Sequence, residues 1–452
     1  MAATAVAILA QSAEHRDIAK EAADYLNRGT LVTATVVSDL VETKFDLSVG
    51  FVQGDGADLH IVDEQGLDWD RGFTTAVLLS RGGSSVRVCL VDAGRSGSTG
   101  RVGMLRSVAA SVAAGHRVLG PLIAMYVSGR TTRLEQPSRV PPVAAAQANR
   151  RGRIRFLGRL ARAILTVRNW QVGHVQVDLD RLVSGRQLIG RVHWRGPTRR
   201  AFWADPCIFD DGHTTWLFVE DLSRRSGLGR IRGLQVSGEY LSQSRILLQT
   251  EHHLSFPQIY RVPGRWLATV ETCAAQNPIY TFDHLGEPWR PADDLPAMPA
   301  GLADAVVRFD DSGQPESATG TDASLDPDSV FVKWDLRDGK WQRDDTAIFV
   351  DVHSARGGGT DDDARGYRAV QDCAGTYGSA LMVVDDLGEQ RLRLTGPDVA
   401  SVWWQRGRKG VHTLTWTQDG QQVWIDGWLR RVSPLGGLLR LRERAHASSC
   451  GG

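Results

Sequence analysis

The chain has 452 residues, too many for one ordinary hydrophobic core, so we expect two or three domains. Hydrophobic residues make up 42% and charged residues 23%, a balance typical of globular proteins. The formal net charge of +1 creates no global field that would attract nucleic acid, and we expect no nucleic-acid partner. The five cysteines are scattered and odd in number, which argues against a disulfide framework or a zinc knuckle.

The first 130 residues are rich in Ala, Val and Gly and follow an α/β pattern. Apolar periodicity predicts strands over residues 5–10, 31–37 and 45–52, and helices over residues 13–28 and 102–114. Residues 75–80 and 85–91 are expected to form a hairpin around a glycine pair. We therefore predict a smaller N-terminal α/β domain over residues 1–130.

The apolar stretch 104–127 is the segment that most resembles a membrane span. It carries Arg106, His116 and Arg117, so a buried helix explains it better. The apolar start of the chain has no basic region ahead of it, which argues against a secretory signal. We expect no transmembrane segment and a cytoplasmic location.

Residues 131–170 are predicted to form a linker followed by a basic amphipathic helix. The helix covers residues 150–168 and begins and ends with arginines, Arg150 and Arg168. One interpretation is peripheral contact with anionic lipid or phosphate. We favour a solvated helix packed across the domain junction, because arginine side chains on such helices commonly reach into solvent.

From residue 192 onward, short apolar runs alternate with turns, and a repeat of about 50 residues appears. Glu220 and Glu271 are 51 residues apart, and Asp205 and Asp304 are 99 apart, which is two periods. A period near 50 with several short strands is typical of one propeller blade, and the 250 residues from Trp203 onward give five. We predict a mainly β chain with a five-bladed β-propeller over residues 171–452.

In a propeller, the starts of the innermost strands converge at the central axis, so distant residues meet there. The predicted starts carry acids, histidines, a serine and an arginine, which would make a polar pocket. The residues that we expect at these starts are Asp205, His253, Ser255, Asp304, His353, Arg356 and His412.

Chemistry at a glycosidic bond needs two carboxyl groups, one that donates a proton and one that is ionised. We assign Asp205 as the ionised partner, because the following proline holds it rigidly. Glu271 or Asp304 would be the acid, and Asp372 is a further candidate. Asp304, His353, Arg356 and Asp372 would orient the sugar. The alternative is that Asp205 caps a turn and that Glu220 and Glu271 end their strands as solvated charges.

A second alternative concerns the histidines at positions 253, 353 and 412, which could share a central metal ion. We favour hydrogen bonding of His253, His353 and His412 to a hydroxyl-rich ligand, because their spacing is not local and no metal motif supports them. We therefore expect no metal and no cofactor.

At these residues the sequence resembles a known family, the N-terminal domain of plant glucosamine inositolphosphorylceramide transferases, which also occurs in bacterial proteins. The resemblance covers about residues 168–430 and adds Gln371 and Tyr377 to the expected substrate-binding set. The strings that carry it are Phe202-Trp203-Ala204-Asp205-Pro206, Leu217-Phe218-Val219-Glu220-Asp221, His253-Leu254-Ser255-Phe256-Pro257, Val270-Glu271-Thr272, His353-Ser354-Ala355-Arg356, Val370-Gln371-Asp372-Cys373, Tyr377-Gly378, Val411-His412-Thr413 and Ile425-Asp426-Gly427.

The resemblance implies a carbohydrate-active propeller similar in fold to arabinanase, xylosidase and levansucrase propellers. It also implies a formyltransferase-like domain ahead of the propeller. Such a domain would carry a clustered Asn, His and Asp motif, but only His60 and Asp63 occur, with no asparagine nearby. The resemblance therefore implies a degenerate copy.

The predicted function is to make or cleave a glycosidic bond during biosynthesis or modification of a glycan or a glycosylated metabolite. Two alternatives remain open. One is a glycan-binding module without catalysis, in which the acids only hydrogen-bond sugar hydroxyls. The other is sugar N-formylation by the N-terminal domain.

Overall fold

The computed structural model describes residues 3–38, 45–51, 57–63, 69, 85–92, 96–103, 108–133, 166–185, 192–197, 201–272, 277–326, 328–362, 364–374, 377–399 and 408–432. The chain divides into two compact units. The first contains residues 1–149, 319–356 and 373–376, and the second contains residues 150–318, 357–372 and 377–452. The described residues form 29 strands and four helices, so the prediction of a mainly β chain is confirmed. The count of five blades and the separate α/β domain over residues 1–130 stay predictions.

The first unit contains a seven-stranded sheet in the order β2-β1-β3-β4-β5-β6-β7. The pairings of β1 with β2, β1 with β3 and β3 with β4 are parallel, and the remaining ones are antiparallel. The strands are β1 (Thr4–Leu9), β2 (Val32–Val37), β3 (Leu47–Gly50), β4 (Leu59–Asp63), β5 (Ser85–Val91), β6 (Ser96–Gly103) and β7 (Thr132–Arg133).

Three helices accompany this sheet: α1 (Ala13–Leu26), α2 (Val108–Arg117) and α3 (Leu119–Val127). Helix α1 connects the parallel strands β1 and β2, as a parallel pair requires. The Ser12 side chain accepts a hydrogen bond from the His15 amide at 3.1 Å and so caps its first turn. Among the helices of the described residues, none has the length and apolar character needed to cross a membrane.

Several predicted elements of this region differ from the structure. Residues 102 and 103 belong to β6, because they pair with β5, so the helix predicted over 102–114 begins at residue 108 instead. The partner of β5 is β6, and the predicted strand 75–80 lies outside the described residues. Residues 150–165 of the predicted basic helix also lie outside the described residues. Residues 166–168 are a strand, because they pair with residues near the end of the chain.

The second unit begins with β8 (Thr166–Val175), α4 (Leu179–Gly185) and β9 (Val192–Arg195). Two antiparallel four-stranded sheets follow, each formed by consecutive strands. The first contains β10 (Ala201–Asp210), β11 (Thr215–Ser223), β12 (Ile231–Ser237) and β13 (Tyr240–Leu248), and the second contains β14 (Leu254–Val262), β15 (Arg265–Thr272), β16 (Tyr280–Phe282) and β17 (Arg290–Pro291).

The division between the units passes through β19 (Pro315–Asp322), which follows β18 (Leu302–Phe309) of the second unit. In the first unit, β20 (Val330–Arg337) pairs antiparallel with β21 (Lys340–Arg343) and with β22 (Phe349–Val350).

A nine-stranded sheet joins the beginning and the end of the second unit in the order β26-β25-β24-β23-β28-β29-β8-β9, with β27 beside β29. Strand β29 pairs with β8 over ten residues. The late strands are β23 (Gly357–Asp362), β24 (Tyr367–Asp372), β25 (Ala380–Asp385), β26 (Gln390–Thr395), β27 (Arg408–Gly410), β28 (Leu414–Trp416) and β29 (Val423–Val432).

The first strands of three successive strand groups, β10, β14 and β18, share a backbone kink. Asp205, Phe256 and Asp304 all lie in the left-handed region, with φ of 48°, 47° and 47°. In β10 and β14 the kink coincides with a break in the pairing register. A bulge of this kind redirects a side chain and removes a backbone N–H from the ladder. The kinks of β10 and β14 therefore each turn a backbone amide away from the strand ladder.

Candidate active site

Carboxylate oxygens accept hydrogen bonds from the backbone amides of the three kinked residues. Asp426 Oδ2 accepts from the Asp205 amide at 3.1 Å, and Asp205 Oδ2 accepts from the Phe256 amide at 3.2 Å. Glu271 Oε2 accepts from the Asp304 amide at 3.1 Å. Buried backbone N–H groups need partners, so these acids stabilise the kinked strands as well as bringing carboxyl groups together. We call Asp205, Glu220, Glu271 and Asp426 the acidic cluster.

His412 is the cationic partner at this cluster. Its Nδ1 lies 2.6 Å from Asp426 Oδ2, and its Nε2 lies 3.3 Å from Asp205 Oδ1. The imidazole stacks on Trp170 with ring centroids 4.0 Å apart, and the edge contact with Tyr377 has centroids 5.3 Å apart. Because both ring nitrogens face carboxylate oxygens, the doubly protonated imidazole donates to both.

Thr413 completes the surroundings of the two aspartates. Its hydroxyl donates to Asp205 Oδ1 at 3.1 Å, and the amides of His412 and Thr413 donate to Asp426 Oδ1 at 3.1 and 3.0 Å. Asp205 is 5% exposed and Asp426 is fully buried. Asp205 thus has an amide, a hydroxyl and an imidazole arranged to stabilise its ionised form.

Glu220 is the member of the cluster with the most perturbed acidity. It is 6% exposed, and burial raises its pKa well above the usual range for glutamate. The neighbouring carboxylates of Asp205, Glu271 and Asp426 raise the pKa further, as does a hydrogen bond between the Glu220 and Asp205 side chains. These effects all favour the protonated form of Glu220.

Burial also raises the pKa of Asp205, and Asp426 and Glu271 raise it further, while His412 and the Phe256 amide oppose these effects. Glu220 has no comparable set of donors around it in the described part of the chain. The protonated form is therefore favoured more at Glu220 than at Asp205.

His253 lies beside Glu220. Its Nδ1 accepts a hydrogen bond from the Gly229 amide at 3.0 Å, and its Nε2 lies 3.5 Å from Glu220 Oε1. The neutral ring therefore carries its proton on Nε2, which faces Glu220. The His253 side chain is 27% exposed, so this edge of the cluster is open to solvent.

Most of the predicted site residues lie in the second unit around this cluster. Ser255 lies opposite Glu271 in the strand ladder, and Glu271 is partly exposed. The Gln371 amide donates to Asp304 Oδ2 at 2.9 Å and to the Gly357 carbonyl at 2.7 Å. The structure thus links Asp205, His253, Ser255, Glu271, Asp304, Gln371, Tyr377 and His412 through these contacts.

The other three predicted residues have different surroundings. Asp372 pairs with Arg393, with 2.9 Å between Oδ2 and Nη2. His353 and Arg356 belong to the first unit, where His353 Nε2 lies 3.0 Å from Ser85 Oγ and Arg356 Nη1 lies 3.1 Å from an oxygen of Asp328. Their part in sugar binding stays a prediction.

Sequence reasoning missed Glu220, Thr413 and Asp426 as site residues. The signal for Glu220 was present, because it precedes Glu271 by one full repeat of 51 residues. Both residues pair with inner-strand positions next to a kink, Ala204 and Ser255. Thr413 and Asp426 are distant in sequence from Asp205, Glu220 and Glu271. The pairing of β28 with β29 brings Thr413 and Asp426 next to each other.

Asp205, His412 and Asp426 also form a group that could hold a metal ion, with one ligand atom from each within 4.8 Å of the others. The His412 nitrogens face the two carboxylates, and backbone amides and the Thr413 hydroxyl fill the other directions. This donor set is satisfied by hydrogen bonds among its own members, so we build no step on a metal.

No protein-family model matches the chain, and no curated protein sequence matches it. Solved structures that resemble part of it include the GH43 endo-arabinanase from Bacillus licheniformis, with 13% identity, 53% of this chain and 96% of that chain covered, and a TM-score of 0.32. The endo-arabinase from Bacteroides thetaiotaomicron shows 14% identity, coverage of 51% and 93%, and a TM-score of 0.32. The catalytic domain of the Coprinopsis cinerea GH62 alpha-L-arabinofuranosidase shows 8% identity, coverage of 52% and 94%, and a TM-score of 0.29. The activities in these names belong to those proteins.

Proposed function

We propose that the second unit is a carbohydrate-active enzyme that makes or breaks a glycosidic bond at the acidic cluster. The observation that supports the proposal is the buried Glu220, whose pKa is raised by burial and by the neighbouring carboxylates of Asp205 and Glu271. A carboxylic acid that keeps its proton at neutral pH is the group that a general acid requires.

Glycoside chemistry needs a proton donor for the departing oxygen and an ionised carboxylate near the anomeric carbon. We assign the donor to Glu220 and the ionised carboxylate to Glu271, which is partly exposed and accepts the Asp304 amide. Glu220 gives its proton to the glycosidic oxygen as that bond breaks. Glu271 either attacks the anomeric carbon or takes a proton from the incoming hydroxyl or water.

This assignment revises the predicted pair of Asp205 and Glu271. Asp205 is 5% exposed and is held by the Phe256 amide, the Thr413 hydroxyl and His412, so it is less available to a sugar than the partly exposed Glu271. Asp205 is therefore a positioning residue, whose negative charge raises the pKa of Glu220. The substrate is a glycan or a glycosylated small molecule, and the resemblance to a transferase domain supports transfer to an acceptor hydroxyl.

The test uses aryl glycosides that differ in leaving-group acidity, because a good leaving group needs no general acid. We expect Glu220→Gln to lower turnover of phenyl glycosides by about 10²–10⁴-fold while dinitrophenyl glycosides are still cleaved. Glu271→Gln should lower turnover of both substrates. Glu251→Gln, at a side chain that is 87% exposed in the same unit, is the matched control and should change neither.

Two results would contradict the proposal. If Glu220→Gln lowers turnover of phenyl and dinitrophenyl glycosides equally, or lowers neither, Glu220 is not the proton donor. If the unmodified protein binds sugars but turns over no aryl glycoside and transfers no sugar to an added alcohol, the cluster belongs to a glycan-binding module instead.

A further inference from the structure

A cavity of about 590 Å³ lies at the ends of the inner strands that are farther from the acidic cluster. Its walls come from the last residues of β10, β14, β18 and β23 and from Trp416 at the end of β28. Ile208 lines it and follows Asp205 by three residues, which corresponds to about 10 Å along a strand. The cavity is therefore separate from the acidic cluster and has the volume of a small-molecule site.

The interior walls of the cavity are aromatic and apolar. Phe209, Tyr260, Phe309 and Trp416 line it together with the aliphatic Ile259. The rings of Tyr260 and Phe309 pack with centroids 5.0 Å apart, and Trp416 Nε1 donates to Asp362 at 2.9 Å. Aromatic rings held in this way offer faces to a cation or to an aliphatic ring.

The lining is also strongly acidic. Only Arg261 among the lining residues is positive, against five aspartates: Asp210, Asp310, Asp311, Asp361 and Asp362. Arg365 lies 3.5 Å from Asp362, and the Arg368 guanidinium interacts with Asp361. The surroundings stay net negative when both arginines are included, so the field favours a positively charged ligand.

Gln258 points to a ligand independently of the acids. It lines the cavity and is only 8% exposed, yet its side-chain amide makes no hydrogen bond in the part of the chain that the structure describes. The amide atoms open onto the cavity, where a ligand hydroxyl would accept from the amide N–H or donate to the amide carbonyl.

We propose that this cavity binds a small organic ammonium compound that also carries a hydroxyl group. The ammonium group would lie between the aromatic rings and the aspartates, and the hydroxyl would bond Gln258. Among the described residues, the acids of this cavity form no group of three whose ligand atoms lie within 4.8 Å of one another. A bare metal ion therefore fits the cavity less well than an organic cation does.

The probe is trans-4-aminocyclohexanol, and the comparison compound is cyclohexane-1,4-diol, which has the same ring and no charge. Calorimetric titration of the full chain should show the amine binding about 10-fold more tightly than the diol. Gln258→Met and Asp311→Asn should each weaken binding of the amine by about 5-fold or more. Asp293→Asn, an exposed acid of the same unit outside the cavity lining, should have no effect.

Asp311 is exposed, so we expect its substitution to leave the fold intact. The Asp311 variant therefore tests the proposal even if the Gln258 variant is unstable. Equal affinity for the diol and the amine would overturn the proposal, as would absence of amine binding or unchanged affinity in both cavity variants. Glu220→Gln separates the two sites. If it weakens amine binding and the cavity variants do not, the amine binds the acidic cluster and the proposal is wrong.

Discussion

Neighbouring residues of the second unit show two kinds of buried acid. Glu220 lies in the acidic cluster, whereas Asp221, the next residue, contacts Arg230 and Arg232 at 3.0 and 2.8 Å. Successive side chains of a strand point to opposite faces, which explains how adjacent acids have unlike surroundings. The neighbours Gln371 and Asp372 also have unlike surroundings. The Gln371 amide donates to Asp304, whereas Asp372 forms an ion pair with Arg393.

The difference between the two regions is the identity of the neighbouring charge. An arginine beside a buried aspartate compensates its charge directly, so breaking such a pair destabilises the fold. Buried carboxyl groups that have no arginine beside them raise one another's pKa. The protonated form is favoured most at the carboxyl group that has the fewest hydrogen-bond donors around it. The acidic cluster is therefore the region where neighbouring carboxylates raise the pKa of a carboxyl group.

Removing Asp221 should produce the largest change in stability. Asp221→Asn leaves Arg230 and Arg232 without their carboxylate, and we expect the free energy of unfolding to fall by about 3 kcal/mol. Urea denaturation followed by circular dichroism measures this. Asp283→Asn, which disrupts an exposed pair with Arg290, should leave the free energy of unfolding essentially unchanged. Equal losses in the two variants would contradict the distinction between buried and exposed pairs.

Thr413→Val should have an intermediate effect. The substitution keeps the shape of the side chain but removes the hydroxyl that donates to Asp205 at 3.1 Å. A hydrogen bond to a charged group contributes about 2 kcal/mol, so we expect a loss of that size in the free energy of unfolding. Thr413→Ser should restore most of it. If Thr413→Val unfolds at the same urea concentration as the unmodified protein, the hydroxyl does not stabilise Asp205.

The smallest expected effect is the change in pH dependence caused by Glu220→Gln. The pKa of Glu220 is raised in the folded protein, so its stabilising contribution is complete below the unfolded pKa of about 4.3 and is lost as pH rises through the folded pKa. Stability of the unmodified protein should therefore fall over that interval more steeply than stability of Glu220→Gln. Glu251→Gln should keep the original slope, and parallel curves for all three proteins would show that Glu220 titrates normally.

The repeat near 50 residues predicted that Asp205 and Asp304 occupy equivalent positions of inner strands, because the repeat follows from the strand pattern itself. It did not predict the backbone kinks at these residues. The sequence also allowed Glu271 and His412 to be expected in the same pocket. The interpretation of Glu220 as a solvated strand end was open, because the alternation of acids and apolar residues does not show which strand face is covered. The structure buries Glu220 to 6% exposure.

The partners of the acids could not be predicted in the same way. Asp372 was expected to orient a sugar, and the structure pairs it with Arg393, 21 residues later. Asp426 contacts His412 only because β28 and β29 form a hairpin with a fixed register. Pairing register, and therefore the identity of the neighbouring charge, depends on packing between distant strands, which spacing along one chain does not specify.

The central claim is that Glu220 holds a proton at neutral pH, and infrared spectroscopy of its carboxyl group tests this directly. The carbonyl stretch of a protonated carboxylic acid is separate from the bands of an ionised carboxylate. At pH 7 the unmodified protein should show a protonated-carboxyl band that shifts in deuterated water, disappears in Glu220→Gln and remains in Glu251→Gln. A spectrum without that band, or a band that survives in Glu220→Gln, would contradict the account.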